Sequence, residues 1–313
     1  MTNPKKVFTI LTISMLACGP SVLSAGESES QSGATQVQGG WRSSVHAGAV
    51  YQSDTDLDEG GSYTATRSTA SIRTSYGWDR RNSVGVSLGY SYDGYDFSGS
   101  EGLSGRAPWD DIHTLSVGVP MRLGVSDQWT AFVIPSFRST GESGADFDQT
   151  LTGGLLSGAS YRVSERLTVG PGIGIFSQLE DSATVIPILI IDWKISDTWS
   201  LNTGGGLGAT LGPGLVLNYT PNKMWQFGVG GRYEKLRFRL DENNSVSSGV
   251  GEDASLPLFV SARYSASPSM NISCVGGIEL EGELSVEDED GQDVVEESYD
   301  PGVFLGLTFN ARF

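Results

Sequence analysis

The chain has 313 residues, a formal charge of −17, 38% hydrophobic content and two cysteines. Its 42 glycines are nearly twice the usual share of about 7%. The longest apolar run beyond the N-terminus, Val185 to Ile191, falls far short of the ~20 residues of a spanning helix. This excludes a polytopic helical transporter and a disordered chain, and the acidic balance argues against nucleic acid as a partner.

Residues 1–25 read as an export signal. Lys5 and Lys6 form its charged start, Val7 to Cys18 its short apolar core, and Ser24 and Ala25 a small-residue cleavage site. Met15, Leu16, Ala17 and Cys18 loosely match an acylation box, so lipoprotein processing at Cys18 is the alternative. Cleavage after residue 25 leaves Cys274 alone and no intramolecular disulfide. Residues 26–39, rich in Gln, Ser and Gly, suit a flexible periplasmic leader, and residues 40–313 the folded domain.

From there, period-2 alternation predicts fourteen strands, near 41–51, 65–78, 83–95, 112–123, 129–140, 149–163, 167–177, 184–195, 199–206, 214–220, 225–238, 255–264, 270–284 and 302–313. If Gly204 to Gly214 is a loop, the count is twelve. Connections after even segments are tight, such as Asp79 to Asn82 and Ser164 to Arg166. Those after most odd segments are long and acidic, such as Asp96 to Asp111 and Ser285 to Pro301. Short turns on one side and long loops on the other suit an up-and-down transmembrane barrel with an even strand number and both termini periplasmic.

The faces agree with that reading. The third segment sets Val84, Val86, Leu88, Tyr90 and Tyr92 against Gly85, Ser87, Gly89, Ser91 and Asp93; the fourth sets Leu115, Val117, Val119, Met121 and Leu123 against small or polar residues. Gly, Ser and Thr would not make a soluble core, whereas they suit a wet lumen. Lys235 and Arg237 are the only charges on assigned outward positions, at the outer end of the eleventh segment. Trp129, Trp199 and Trp225 directly follow tight turns and Trp78 and Trp193 precede them, a girdle at the periplasmic boundary.

Several even segments end on a cation followed by an apolar residue: Arg122–Leu123, Arg162–Val163, Lys194–Ile195, Arg263–Tyr264 and Arg312–Phe313. Parity turns the cations inward, and Arg73 with them. The resulting basic ring reads either as a solvated, ion-paired rim or as a mouth that concentrates small anions. Arg138, Arg232, Glu234, Asp93, Asp192, Glu279 and Glu281 are placed deeper in the lumen, where Phe132, Ile134, Phe176, Ile188 and Ile190 also point.

Acidic loops, including Asp54 to Glu59 and Glu287 to Glu297, are read as solvated surface with divalent cations as diffuse partners. Glu59 stands where a calcium-binding helix–loop–helix needs glycine, which rejects that motif. Gly85, Ser87 and Gly89 match a nucleophile elbow, but inside a strand. Gly204, Gly206 and Ala209 mimic a dinucleotide fingerprint without a following helix. His46 falls inward, and His113 beside Asp110 and Asp111 carries the one enzyme hypothesis, a rim hydrolase. No catalytic residue, cofactor or metal site is assigned.

The last strand alternates Val303, Leu305, Leu307, Phe309, Ala311 and Phe313 with mostly small or polar residues and stops on an aromatic. It resembles the terminal strand that bacterial outer-membrane β-barrels present to their assembly machinery, the partner this implies beside outer-membrane lipid. The stretches Gly170 to Asp181 and Pro187 to Trp193 resemble a family of uncharacterised barrels of about this length, which implies location and architecture without catalytic residues. Three functions are expected in turn: a passive pore or structural envelope protein, a transporter or binder of apolar small molecules, and a rim hydrolase.

Overall fold

The computed structural model describes residues 39–106, 108–203 and 214–313. The export signal, Cys18, almost all of the leader and the glycines from 204 to 213 lie outside the described residues.

The alternation becomes fourteen antiparallel strands: β1 Gly40–Asp56, β2 Ser62–Gly77, β3 Ser83–Ser98, β4 Asp111–Gly118 resuming as Met121–Gly124, β5 Trp129–Glu142, β6 Leu151–Ser164 and β7 Leu167–Phe176. The other half is β8 Thr184–Lys194, β9 Trp199–Thr203, β10 Gly214–Tyr219, β11 Trp225–Arg232 resuming as Glu234–Arg239, β12 Val250–Ser267, β13 Met270–Glu287, and β14 Asp293–Tyr299 resuming as Gly302–Arg312. Each strand pairs with its neighbours in sequence, and β14 returns to β1 from Arg312 opposite Ser44 to Phe304 opposite Gln52. The sheet is thus a closed barrel with no free edge at its seam, the form in which strands satisfy their backbone groups within lipid.

Local chemistry explains the breaks. Pro120 cannot donate to the ladder, so β4 is interrupted there, while its carbonyl still accepts from Gly85 N at 2.9 Å. In β13 the register slips at Glu281, whose φ of 49° marks a bulge. That extra residue turns Glu281 outward, correcting its expected place in the lumen, and brings Gly282, Leu284 and Val286 inward.

The outer surface is apolar along much of each strand: Leu305 is 62% exposed, Val260 61% and Leu189 62%, with Leu88, Leu115 and Ile173 in the same belt. Soluble monomers rarely expose a continuous patch of this kind. On β13 the outward run Met270, Ile272, Cys274, Ile278 and Leu280 gives way to Glu281, Glu283 and Glu287, which fixes the outer limit of the belt. At the short-turn limit, Trp129 faces Tyr161, Trp199 faces Tyr219 and Trp225 faces Tyr264 across adjacent strands, with ring centroids 5.0, 4.9 and 5.1 Å apart. Trp78, Trp193 and Phe313 are also exposed at this end.

Among the described residues, strand ends and loops pack together at the long-loop end. Leu57, Tyr63, Tyr95, Leu103, Trp109, Ile112, Phe238, Leu240, Leu284 and Tyr299 form one buried cluster drawn from β2, β3, β4, β11, β13, β14 and the loops between them. Trp109 meets the ring of Phe238 edge-on at 5.0 Å. Arg239 of β11 even forms a parallel bridge with Gly141 of β5, far around the barrel, so the tall strands lean over the mouth.

Candidate lumenal site

Beneath this seal lies a charged layer. Arg67 of β2 reaches Asp253 Oδ2 at 2.9 Å and Glu279 Oε1 at 3.1 Å, and donates to Gln52 Oε1 at 2.8 Å. The Tyr95 and Tyr299 hydroxyls donate to the two oxygens of Asp253 at 2.7 and 3.2 Å, and Gln52 Nε2 donates to the Tyr63 hydroxyl at 2.9 Å. Asp93 is buried beside the same group. Several carboxylates share one guanidinium here. Such a layer is held by mutual hydrogen bonding, because a charge out of water is costly unless its partners are complete.

Mid-depth, the lumen turns apolar. Val50, Val216, Phe259, Val275 and Phe304 form one buried cluster, and Phe132, Ile134 and Ile190 form a second with Leu156 and Ile188 against it. Arg232 stacks over the Phe259 ring at 4.9 Å and pairs with Glu234 at 3.0 Å. Asp192 accepts from Asn202 Nδ2 at 2.9 Å, Glu279 is buried in the charged layer, and Arg138 lies half-buried on the inner face. The six residues expected deeper in the lumen that keep an inner-face register therefore line it at three heights rather than forming one cluster.

The inner end carries the basic residues. Arg73, Arg122, Lys194 and Arg263 are half-buried, while Arg162 and Arg312 are exposed at the rim. Arg122 lies within electrostatic reach of Arg162, and Arg263 of Arg312. Arg263 donates to Gln226 Oε1 at 3.0 Å. The following apolar residues, Leu123, Val163, Ile195, Tyr264 and Phe313, all face outward and are exposed.

Lys235 and Arg237 occupy outward positions, and their side chains are largely covered. Acids of the neighbouring strands pair with both, and a loop carbonyl caps Arg237. Arg237 pairs with Glu252 at 3.0 Å and with Glu287, and donates through Nε to the Leu179 carbonyl at 3.0 Å; Arg239 pairs with Glu180. Other acids pin loops: Glu297 accepts from the backbone N–H of Glu59 and of Leu103, each at 2.7 Å. Among the described residues no three His, Cys, Asp or Glu side chains are grouped to hold a metal ion.

At the outer rim, His113 Nε2 is 3.0 Å from Ser143 Oγ and 3.1 Å from Asp111 Oδ2, and its Nδ1 is 2.7 Å from the Tyr90 hydroxyl. Serine and carboxylate thus share one ring nitrogen. In a serine–histidine–acid triad they sit on opposite ring nitrogens, the acid orienting the imidazole that takes the serine proton, so this arrangement does not match a triad. Sequence reasoning did not find Ser143, which reaches His113 only through the β4–β5 pairing.

Fold and belt together define a transmembrane β-barrel whose long-loop end is packed by aromatic and aliphatic side chains among the described residues. No protein-family model matches the chain, and no curated protein matches it. Among solved structures, an outer membrane channel from Pseudomonas putida F1 is similar at 11% identity and a TM-score of 0.48, over 91% of this chain and 100% of the channel. A FadL homologue from Pseudomonas aeruginosa is similar at 12% identity and 0.48, over 86% and 90%. The translocator domain of the autotransporter NalP from Neisseria meningitidis is similar at 14% identity and 0.40, over 88% of both chains. At these values the likeness is one of barrel architecture, and it carries no solute from those proteins to this one.

Proposed function

We propose that this chain is an outer-membrane barrel, its termini in the periplasm, that takes small and largely apolar solutes through a constricted lumen. The supporting observation is the filled interior: two apolar clusters at mid-depth beneath an aromatic seal over the outer mouth. A wide aqueous pore needs a polar channel along its whole length, and fourteen strands stand between barrels that side chains fill and barrels that hold water. The export signal and the exposed apolar belt support the location.

Purified barrel in planar bilayers is expected to show no large ohmic steps, while vesicles containing it take up an apolar fluorescent dye faster than empty vesicles. Steady ohmic conductance would return the reading to a passive pore. Silence together with dye uptake no faster than the control would leave a structural barrel, which the buried ion layer would also serve.

A further inference from the structure

Phe132 and Phe304 stand on opposite walls of the lumen. Phe132 belongs to the apolar cluster of β5, β6 and β8, and Phe304 to that of β1, β10, β12, β13 and β14. In a closed ring of fourteen strands these two groups are centred about half a turn apart. The clusters share no member. Both rings take inner-face positions and are nearly buried, Phe132 at 7% and Phe304 at 4% exposure, so the space between the walls is narrow where they stand.

Each ring lies along the wall, because the residue directly opposite it in the ladder is glycine. Phe132 faces Gly158 across β5 and β6, and Phe304 faces Gly277 across β14 and β13. A Cβ at Gly158 would stand 2.7 Å from Phe132 Cζ, and one at Gly277 would stand 2.7 Å from Phe304 Cζ. The far edge of each ring thus covers the bare backbone of the neighbouring strand, which supplies the packing that a glycine in a sheet lacks. A side chain at either glycine would lift the ring toward the lumen axis. Phe259 uses a similar seat on Gly230, where a Cβ would come within 3.0 Å of its Cζ, and Arg232 stacked over that ring holds it in place.

The other members of the two clusters are smaller: Val50, Val216 and Val275 on one wall, Ile134 and Ile190 on the other. Phe132 and Phe304 are therefore the side chains whose removal opens the passage most and whose lifting closes it most. Resting on the reading of this chain as an apolar conduit, we propose that these two rings, seated on Gly158 and Gly277, set its width and with it the solute class. Slender apolar molecules, one hydrocarbon chain or one ring across, pass between the two walls, and broad fused-ring molecules are held back.

Bacteria carrying the barrel in a lipopolysaccharide-bearing outer membrane are given diphenylhexatriene, a rod one ring across, or perylene, a plate of fused rings. Entry is read by fluorescence against cells without the barrel. The expected result is faster entry of diphenylhexatriene and little change for perylene. Phe132→Ala and Phe304→Ala should each raise perylene entry about tenfold. Gly158→Ala, which lifts the Phe132 ring, should slow diphenylhexatriene. Heat-dependent electrophoretic mobility shows which barrels are folded, and Phe132→Leu or Phe304→Leu replaces an alanine variant that is not. Equal acceleration of both dyes by the wild type, or unchanged selectivity in both phenylalanine variants, would overturn the width assignment and leave the conduit standing. Entry of neither dye above the control would overturn the conduit and the assignment with it.

Discussion

Arg67 shows how much of this interior depends on single partners. Its guanidinium answers Asp253, Glu279 and Gln52 at once in a layer with almost no solvent. Arg67→Ala leaves buried carboxylates without their cation and should cost about 3–5 kcal/mol, measured by urea unfolding in lipid vesicles. Glu283 behaves differently because it lies beyond the belt. Burial first, then the nearby Glu296 and Glu252, push its carboxyl above the usual range. A raised folded value means that the folded chain holds this proton more tightly than the unfolded chain does. The group's contribution is thus full below the unfolded value and is lost as pH rises through the folded one. Glu283→Gln should flatten that part of a stability–pH profile of the outer strands, read by hydrogen exchange.

At the scale of elements, each strand must satisfy lipid on one face and the lumen on the other. Leu305 sits in the middle of β14 on the lipid side, 62% exposed. Leu305→Arg should destabilise the barrel by about 2–4 kcal/mol in a bilayer, whereas a basic residue at the rim should cost little. Folding equilibria in vesicles separate the two. Gly282 marks the opposite constraint: directly after the β13 bulge it lies against the Tyr299 ring, and a Cβ there would overlap that ring. Gly282→Val should displace Tyr299 from Asp253 and loosen the outer seal, seen as faster proteolysis of the long loops with the barrel still folded.

For the whole molecule, the proposed conduit makes the packed long-loop end the restriction to test. Trp109 holds β3, β11 and the loop before β4 together through Tyr95, Phe97 and Phe238. Trp109→Ala should open the outer mouth and give measurable ion conductance where the wild type gives little. No change in conductance would place the restriction at the mid-depth apolar clusters instead.

The strand number, the turn pattern, the lipid-facing residues and the tryptophans at the short-turn end were legible in the sequence. Each rests on a period of two residues or on a local turn. The inward placement of the basic residues is an expectation from the same parity. Partners across the barrel were not legible: the tyrosines opposite the tryptophans, Arg67 with Asp253 and Glu279, Ser143 beside His113, and His46 beside Asn310 meet only through register and closure. Nor could alternation reveal that the Leu179 carbonyl would cap Arg237, or that a bulge would turn Glu281 outward. The sequence by itself determined a closed sheet, apolar outside, because side-chain direction follows strand parity. The packing of side chains over the long-loop end came only with closure and register, because burial there depends on which distant strand ends lean together.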